Sequence, residues 1–143
     1  MGLDTTHDCW HGAYSAFTRW RNKLAEVAGY EVVEITYKNG GFSIPHEMPL
    51  VDYIHADVDG NPVNGDWVNE PSDPLMVLIC HSDCDGHIKP KQARALSLRL
   101  KELLPLLPDE DAGGHIGMWK EKTQQFIDGL ELAVKKRQTV RFH

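Results

Sequence analysis

The chain has 143 residues, the length of one domain, and folding at that size buries roughly two thirds of the unfolded surface, enough for one core without staples. A formal charge of −6 excludes a generic nucleic-acid or membrane-surface binder, since both need a basic field. It leaves room for a small anion, which one helix N-terminus and one arginine can hold.

The first predicted element is a helix. In CWHGAYSAFTRWRNKLAEVAG, residues Trp10, Ala13, Phe17, Trp20, Leu24 and Val27 recur at steps of three and four, one apolar stripe. Asp8 is placed to cap its start and Gly29 to follow its end. EVVEITY (31–37) reads as a strand from its β-branched residues, and KNGGFSIPHEMPL as a turn and irregular segment. VDYIHADVDGNPVNGDWV reads as a hairpin turning at Asp59-Gly60. Its DVDGN stretch is not a calcium loop, because Pro62 holds the loop-glycine position and Val68 the twelfth.

NEPSDP is a loop, and the unbroken apolar run LMVLIC predicts a central strand covered on both faces. A second helix follows from Pro90, with Ala93, Leu96, Leu100, Leu103 and Leu107 inward. A third starts near His115, with Ile116, Trp119, Phe126, Leu130 and Ala133 inward. The basic run at 135–137 complements its dipole. TVRFH closes the chain as a short strand with Val140 and Phe142 on one face. The order predicts a single α+β domain over residues 1–143: a small sheet with a central LMVLIC strand and about three helices packed mainly on one face.

Two stretches concentrate chemistry. HSDCDGH (81–87) follows directly on LMVLIC. A polar loop between a strand end and a helix is a common ligand position, because the next helix offers free N–H groups. His81, Ser82, Asp83, Cys84 and Asp85 are its candidate ligand contacts, with Asp85 a possible cap of the second helix. The opposing reading is a polar turn, since aspartate and glycine form turns by default. THDCWHG (6–12) places His7 and His11 four apart, on one face if the segment is helical. A helix start with an Asp8 cap and incidental histidines is the competing reading. If the two stretches line one pocket, Trp10 and Tyr14 could stack on a planar ring, and Arg19 or Arg21 could meet an anion. Core packing is the other role for Trp10.

The three cysteines, Cys9, Cys80 and Cys84, fit no closed zinc spacing, so neither a structural metal nor a cofactor is expected. Their odd number and the polar N-terminus predict free thiols in the cytoplasm. No apolar run reaches the roughly 18 residues of a membrane span.

GLDTTHDCWHGAYSAFTRWR, HSDCDG and GHIGMWKEKTQQFIDGLELA together resemble small uncharacterised proteins that recur in bacteriophage and bacterial, especially actinobacterial, genomes. The resemblance covers most of the chain and carries no catalytic role. It implies a phage setting and the host cytoplasm, where small non-structural proteins often act on host defence, some by binding or cleaving nucleotide signals. The function expected is therefore binding of a small anionic or nucleotide-like ligand. The alternatives are a hydrolase, working through a metal on His7, His11, His81 or Asp83 or through His81 and Asp83 alone, and a protein-interaction module marked by a large apolar patch.

Overall fold

A computed structural model describes residues 2–30, 73–79, 81, 86–113 and 117–143, and the backbone of 32–37 and 40–45. Six short strands and four helices make up the described chain. Strand β1 is Gly2–Asp4, and Thr6–Asp8 forms a single 3-10 turn. Strand β2 is His11–Ala13, helix α1 is Tyr14–Val27, and strands β3 and β4 are Val32–Tyr37 and Gly40–Pro45. Helix α2 is Leu75–Ile79, strand β5 His87–Ile88, helix α3 Pro90–Leu103, helix α4 Trp119–Lys136 and strand β6 Val140–Arg141. The architecture is α+β, as composition and pattern predict.

The LMVLIC expectation fails. Leu75–Ile79 is helical, and all five side chains are buried. An element surrounded by core on every side is apolar all round, so an unbroken run fits a buried helix as well as a strand. The local chemistry chooses helix. Asp73 Oδ1 accepts a hydrogen bond from the Leu75 N–H at 2.9 Å, Pro74 follows the cap, and the Met76 N–H bonds the Asp73 carbonyl at 3.0 Å. At the other end the buried Arg21 guanidinium donates to the carbonyls of Leu78, Ile79 and His81 at 3.2, 3.2 and 2.6 Å. It satisfies the orphan acceptors that a helix end leaves.

Helix α1 begins later than its stripe suggests. Asp8 is not its cap; the chain first runs as the β1–β2 hairpin, and Ala13 occupies the N-cap. Trp10 is buried beside Phe17 and Trp20, so it extends the apolar pattern without being helical. The far end of α1 is as expected. Gly29 has φ 95°, and the N–H groups of Gly29 and Tyr30 bond the carbonyls of Glu26 and Ala25, both at 3.0 Å, the double closure of a glycine-terminated helix.

Part of the segment expected to be irregular is a strand. β4 pairs antiparallel with β3, with Tyr37 opposite Gly40 and Val32 opposite Pro45, and the hairpin lies against α1. The Asp59-Gly60 hairpin, Cys80, residues 82–85 and His115–Ile116 lie outside the described residues. Lys89, not Asp85, holds the N-cap position of α3, where the Gln92 side chain accepts the Lys89 N–H at 3.0 Å. The five inward positions of α3 and its extension are all buried, as are Trp119, Phe126, Leu130 and Ala133 of α4. These two helices pack along one another.

The chain ends join in one ribbon. β1 pairs with β2, and β5 with β6, both antiparallel. Asp4 and His143 exchange two backbone hydrogen bonds of 2.8 Å, and the Phe142 N–H bonds the Gly86 carbonyl at 3.0 Å. The spatial order is therefore β2, β1, the C-terminal strand, β5. Leu3, Thr5, Ile88, Val140 and Phe142 face the core, while His11, Arg141 and His143 are exposed. The two-residue alternation of strands produces this division.

Candidate functional site

The C-terminal strand brings the two chemistry-rich stretches to the same place. Arg141 lies opposite His87 in the β5–β6 pair, and its N–H bonds the Thr6 hydroxyl at 2.9 Å. The start of THDCWHG and the end of HSDCDGH thus flank one residue. Ser82, Asp83, Cys84 and Asp85 lie outside the described residues. The described candidates divide between core and surface.

Three of the sequence candidates are core or part-core groups. Trp10 is 1% exposed, with Lys122 Nζ 4.2 Å above its ring, so its faces are taken by protein and do not form a stacking platform. Tyr14 is half-buried against the core. His81 is buried, its ring centroid is 4.0 Å from that of Phe142, and Nε2 lies 3.0 Å from the His87 carbonyl. It belongs to the buried face of the ribbon, whereas His11 is on the solvent face. Arg21 is structural, as described, and Arg19 donates to the Ala112 carbonyl at 2.6 Å. Cys9 is buried under the Thr6–Asp8 turn, and burial pushes its thiol up to about 12, which removes it as a nucleophile near neutral pH.

His7 is the surface candidate with a built environment. It has φ 62° and ψ 17°, and Asp8 follows at φ 54°. Two successive non-glycine residues in the left-handed region cost about 1–2 kcal/mol each, and such strain persists only where surroundings over-determine it. Those surroundings are identifiable. The Gln125 amide donates to the Asp8 carbonyl at 3.0 Å. Gly129 of α4 leaves room for the turn, since a Cβ there would lie 2.8 Å from the His7 carbonyl oxygen and 2.9 Å from Cys9 Cα.

The His7 ring is held at both nitrogens, with Thr6 Oγ1 at 2.8 Å from Nδ1 and Gln138 Oε1 at 2.8 Å from Nε2. Nε2–H donates to the Gln138 amide oxygen, and Thr6 Oγ1, which also accepts from the Arg141 N–H, has both a proton and a second lone pair with which to meet Nδ1. Both ring nitrogens therefore have partners within the protein.

Two open grooves share His7. One, of about 490 Å3, is lined by Thr6, His7, Gln138, Thr139 and Arg141; it carries a guanidinium, hydroxyls and an amide, and no carboxylate. The other, of about 440 Å3, is lined by Asp8, Glu121, Gln124, Gln125, Asp128, Gly129 and Leu132 beside His7, and is acidic. The segment is not a continuous helix, so His7 and His11 do not share a helical face. His11 starts β2 opposite Asp4, and its Nδ1 contacts the Asp4 carboxylate. Among the described residues no group of three His, Cys, Asp or Glu side chains could hold a metal ion.

Thr6, Gln138, Thr139 and Arg141 were not among the sequence candidates. TVRFH did signal that Arg141 faces outward by alternation, but nothing local told which segment it would meet. No helix among the described residues is long and apolar enough to cross a membrane. No family model, curated protein or solved structure matches the chain.

Proposed function

We propose that the protein binds a small anionic ligand of the phosphate or nucleotide class in the groove between His7 and Arg141. The observation that carries this reading is the lining: every polar side chain in the groove is neutral or cationic. Its volume falls within the roughly 300–1,000 Å3 of small-ligand sites. The strained and fully bonded His7 turn supports it, because such a turn presents a preformed wall rather than a mobile one. Sequestration of a nucleotide-like signal, as a phage counter-defence protein would perform, is the role this chemistry fits best.

Calorimetric titration tests the reading, first with inorganic phosphate, then with AMP and a cyclic dinucleotide. A charge-assisted hydrogen bond contributes about 1.5–3 kcal/mol, so Arg141→Ala should weaken binding roughly 10–100-fold. Absence of binding by all three probes, or equal binding by Arg141→Ala, would reject it. Hydrolysis is the second reading, favoured by the Asp4–His11 contact: a carboxylate on Nδ1 leaves Nε2 of a solvent-facing imidazole available as a base. Product formation from a bound phosphoester separates turnover from sequestration.

A further inference from the structure

We infer that His7 takes up a proton when the groove between it and Arg141 fills, which rests on the reading of that groove as an anion site. The anion is then held by an imidazolium as well as by a guanidinium, and affinity rises as pH falls. The hydrogen bonds of the groove run through one hydroxyl. Thr6 Oγ1 lies 2.8 Å from His7 Nδ1 and accepts from the Arg141 N–H at 2.9 Å. On the other side of the ring, Nε2–H donates to Gln138 Oε1 at 2.8 Å. Thr6, His7, Gln138 and Arg141 all line the groove. These bonds accommodate both states of the ring. With Nδ1 bare, the Thr6 hydroxyl donates to it. With Nδ1 protonated, the ring donates, Thr6 Oγ1 accepts on its second lone pair, and the Gln138 bond is unchanged. Protonation breaks none of these bonds. It reverses one and frees the Thr6 hydroxyl proton for a ligand, so an anion meets one more positive charge and one more donor.

The charges around His7 give the coupling its sign. Helix α4 and strand β6 pack on the His7 turn. From α4, Glu121 and Asp128 line the acidic groove with His7, and Asp8 of the turn itself joins them. These carboxylates attract a positive ring. From β6, Arg141 shares the other groove with His7 and repels it. An anion beside Arg141 offsets that repulsion and adds its own attraction, so it favours the protonated ring. Linkage makes the effect reciprocal: by whatever factor the anion favours the proton, the proton favours the anion. Histidine is the side chain whose ordinary change of charge falls between about pH 5 and 8, the interval in which the coupling is to be sought. His7 acts here through its charge and through Thr6, and is a positioning residue rather than a direct ligand contact.

The test is calorimetric titration of the full chain with sulfate, whose own charge is constant across that interval, at about pH 8 and about pH 5.5. Sulfate affinity should be at least about fivefold higher at the lower pH, the low end of ordinary coupling between two sites. Titration in two buffers of different ionisation enthalpy should show proton uptake on binding. His87 lies opposite Arg141 and His143 two residues beyond it, so His87→Gln and His143→Gln are the controls. Both should keep the pH dependence, whereas His7→Asn should lose it. Asparagine, like histidine, tolerates the left-handed backbone of this position. Should His7→Asn fail to fold, the natural chain answers alone: at about pH 6.5, sulfate should move the His7 imidazole NMR signals toward their protonated positions. No sulfate binding at the lower pH, equal affinity at both, proton uptake that survives His7→Asn, or His7 signals that sulfate leaves in place overturns the assignment. The anion-site reading falls separately, if phosphate, AMP and a cyclic dinucleotide all fail to bind or bind Arg141→Ala equally.

Discussion

The α3–α4 pair and the terminal ribbon are held together by opposite means. The helices contribute Ala93, Leu96, Leu100, Phe126, Leu130 and Ala133 to the core at zero exposure, and each helix satisfies its own backbone internally. The ribbon buries a few side chains, and beyond the local β1–β2 hairpin its backbone groups find partners far along the chain, Asp4 with His143 and Gly86 with Phe142. Helical order is local and rests on one stripe per element. Ribbon order requires segments more than a hundred residues apart to meet, which costs loop-closure entropy before any bond is gained. The chemistry sits on the second kind of structure: the groove beside His7, the Asp4–His11 contact and Arg141 all belong to the ribbon or its turn. A rigid helical half thus supports a surface whose residues are assembled from both ends of the sequence.

The sharpest way to break that division is at Gly129, where the ribbon's turn rests on α4. A Cβ at this position would lie 2.5 Å from Cys9 Sγ and below 3 Å from two backbone atoms of the turn. Backbone cannot yield as a flexible side-chain tip does, so Gly129→Ala should destabilise the protein by about 1–3 kcal/mol, despite the better helix propensity of alanine. Hydrogen exchange should show the loss unevenly. The amides of Asp4, Phe142 and His143 lose protection first, while those of α3 keep theirs. Uniform loss across both halves would show that ribbon and helices unfold as one unit.

The same contrast explains what could be read in advance. The inward positions of α3 and α4 were legible because a 3.6-residue period is written in neighbouring residues. The outward Arg141 and inward Val140 and Phe142 were legible from alternation. LMVLI was misread because a run buried on all sides has no period, although Ser72-Asp73-Pro74 before it carried a helix-start signal. The pairing of His11 was misread for a different reason. Its neighbour in sequence, His7, offered a helical partner, whereas its partner in space is Asp4, set by a hairpin that only tertiary pairing stabilises. Of HSDCDG, His81 and Gly86 are among the described residues. His81 shows that a histidine in a polar stretch can still be a core residue, packed on Phe142 and bonded to a carbonyl.

A second test loads the helical half alone. Burial raises the Asp73 carboxyl, but hydrogen bonds from Tyr30, the Leu75 N–H and Arg99 outweigh it and hold the group below its ordinary value. A depressed folded pKa means that the carboxylate's stabilisation is complete above its unfolded value of about 3.9 and is lost as pH falls through the lower folded value. Stability of the natural chain should therefore fall below about pH 4, and Asp73→Ala should flatten that part of the profile. At neutral pH the same variant should cost about 0.5–2 kcal/mol for the lost cap of α2. Denaturant midpoints measured across pH give both results. An acid profile identical in the two proteins would remove Asp73 from the account.

The smallest expected effect lies at the junction of the two halves. Helix α4 closes through Arg137 at φ 56°, with the N–H groups of Arg137 and Gln138 bonded to the carbonyls of Val134 and Ala133 at 3.1 and 2.9 Å. That closure normally uses glycine, and a side chain there costs about 1–2 kcal/mol. Arg137→Gly relieves the strain, but it frees the unfolded chain and removes a cation near the helix C-terminus, worth about 0.5–1 and 0.3–1 kcal/mol respectively. The net expectation is a gain of a few tenths of a kcal/mol, roughly one degree in melting temperature. Arg137→Ala separates the contributions, because it loses the charge and keeps the strain; it should melt below the natural chain while Arg137→Gly melts above it. If the two variants melt together, the left-handed turn is not a source of strain. The His7 turn, built on the same backbone geometry and bonded to Gln138 immediately after it, would then lose the strain argument for a preformed binding wall.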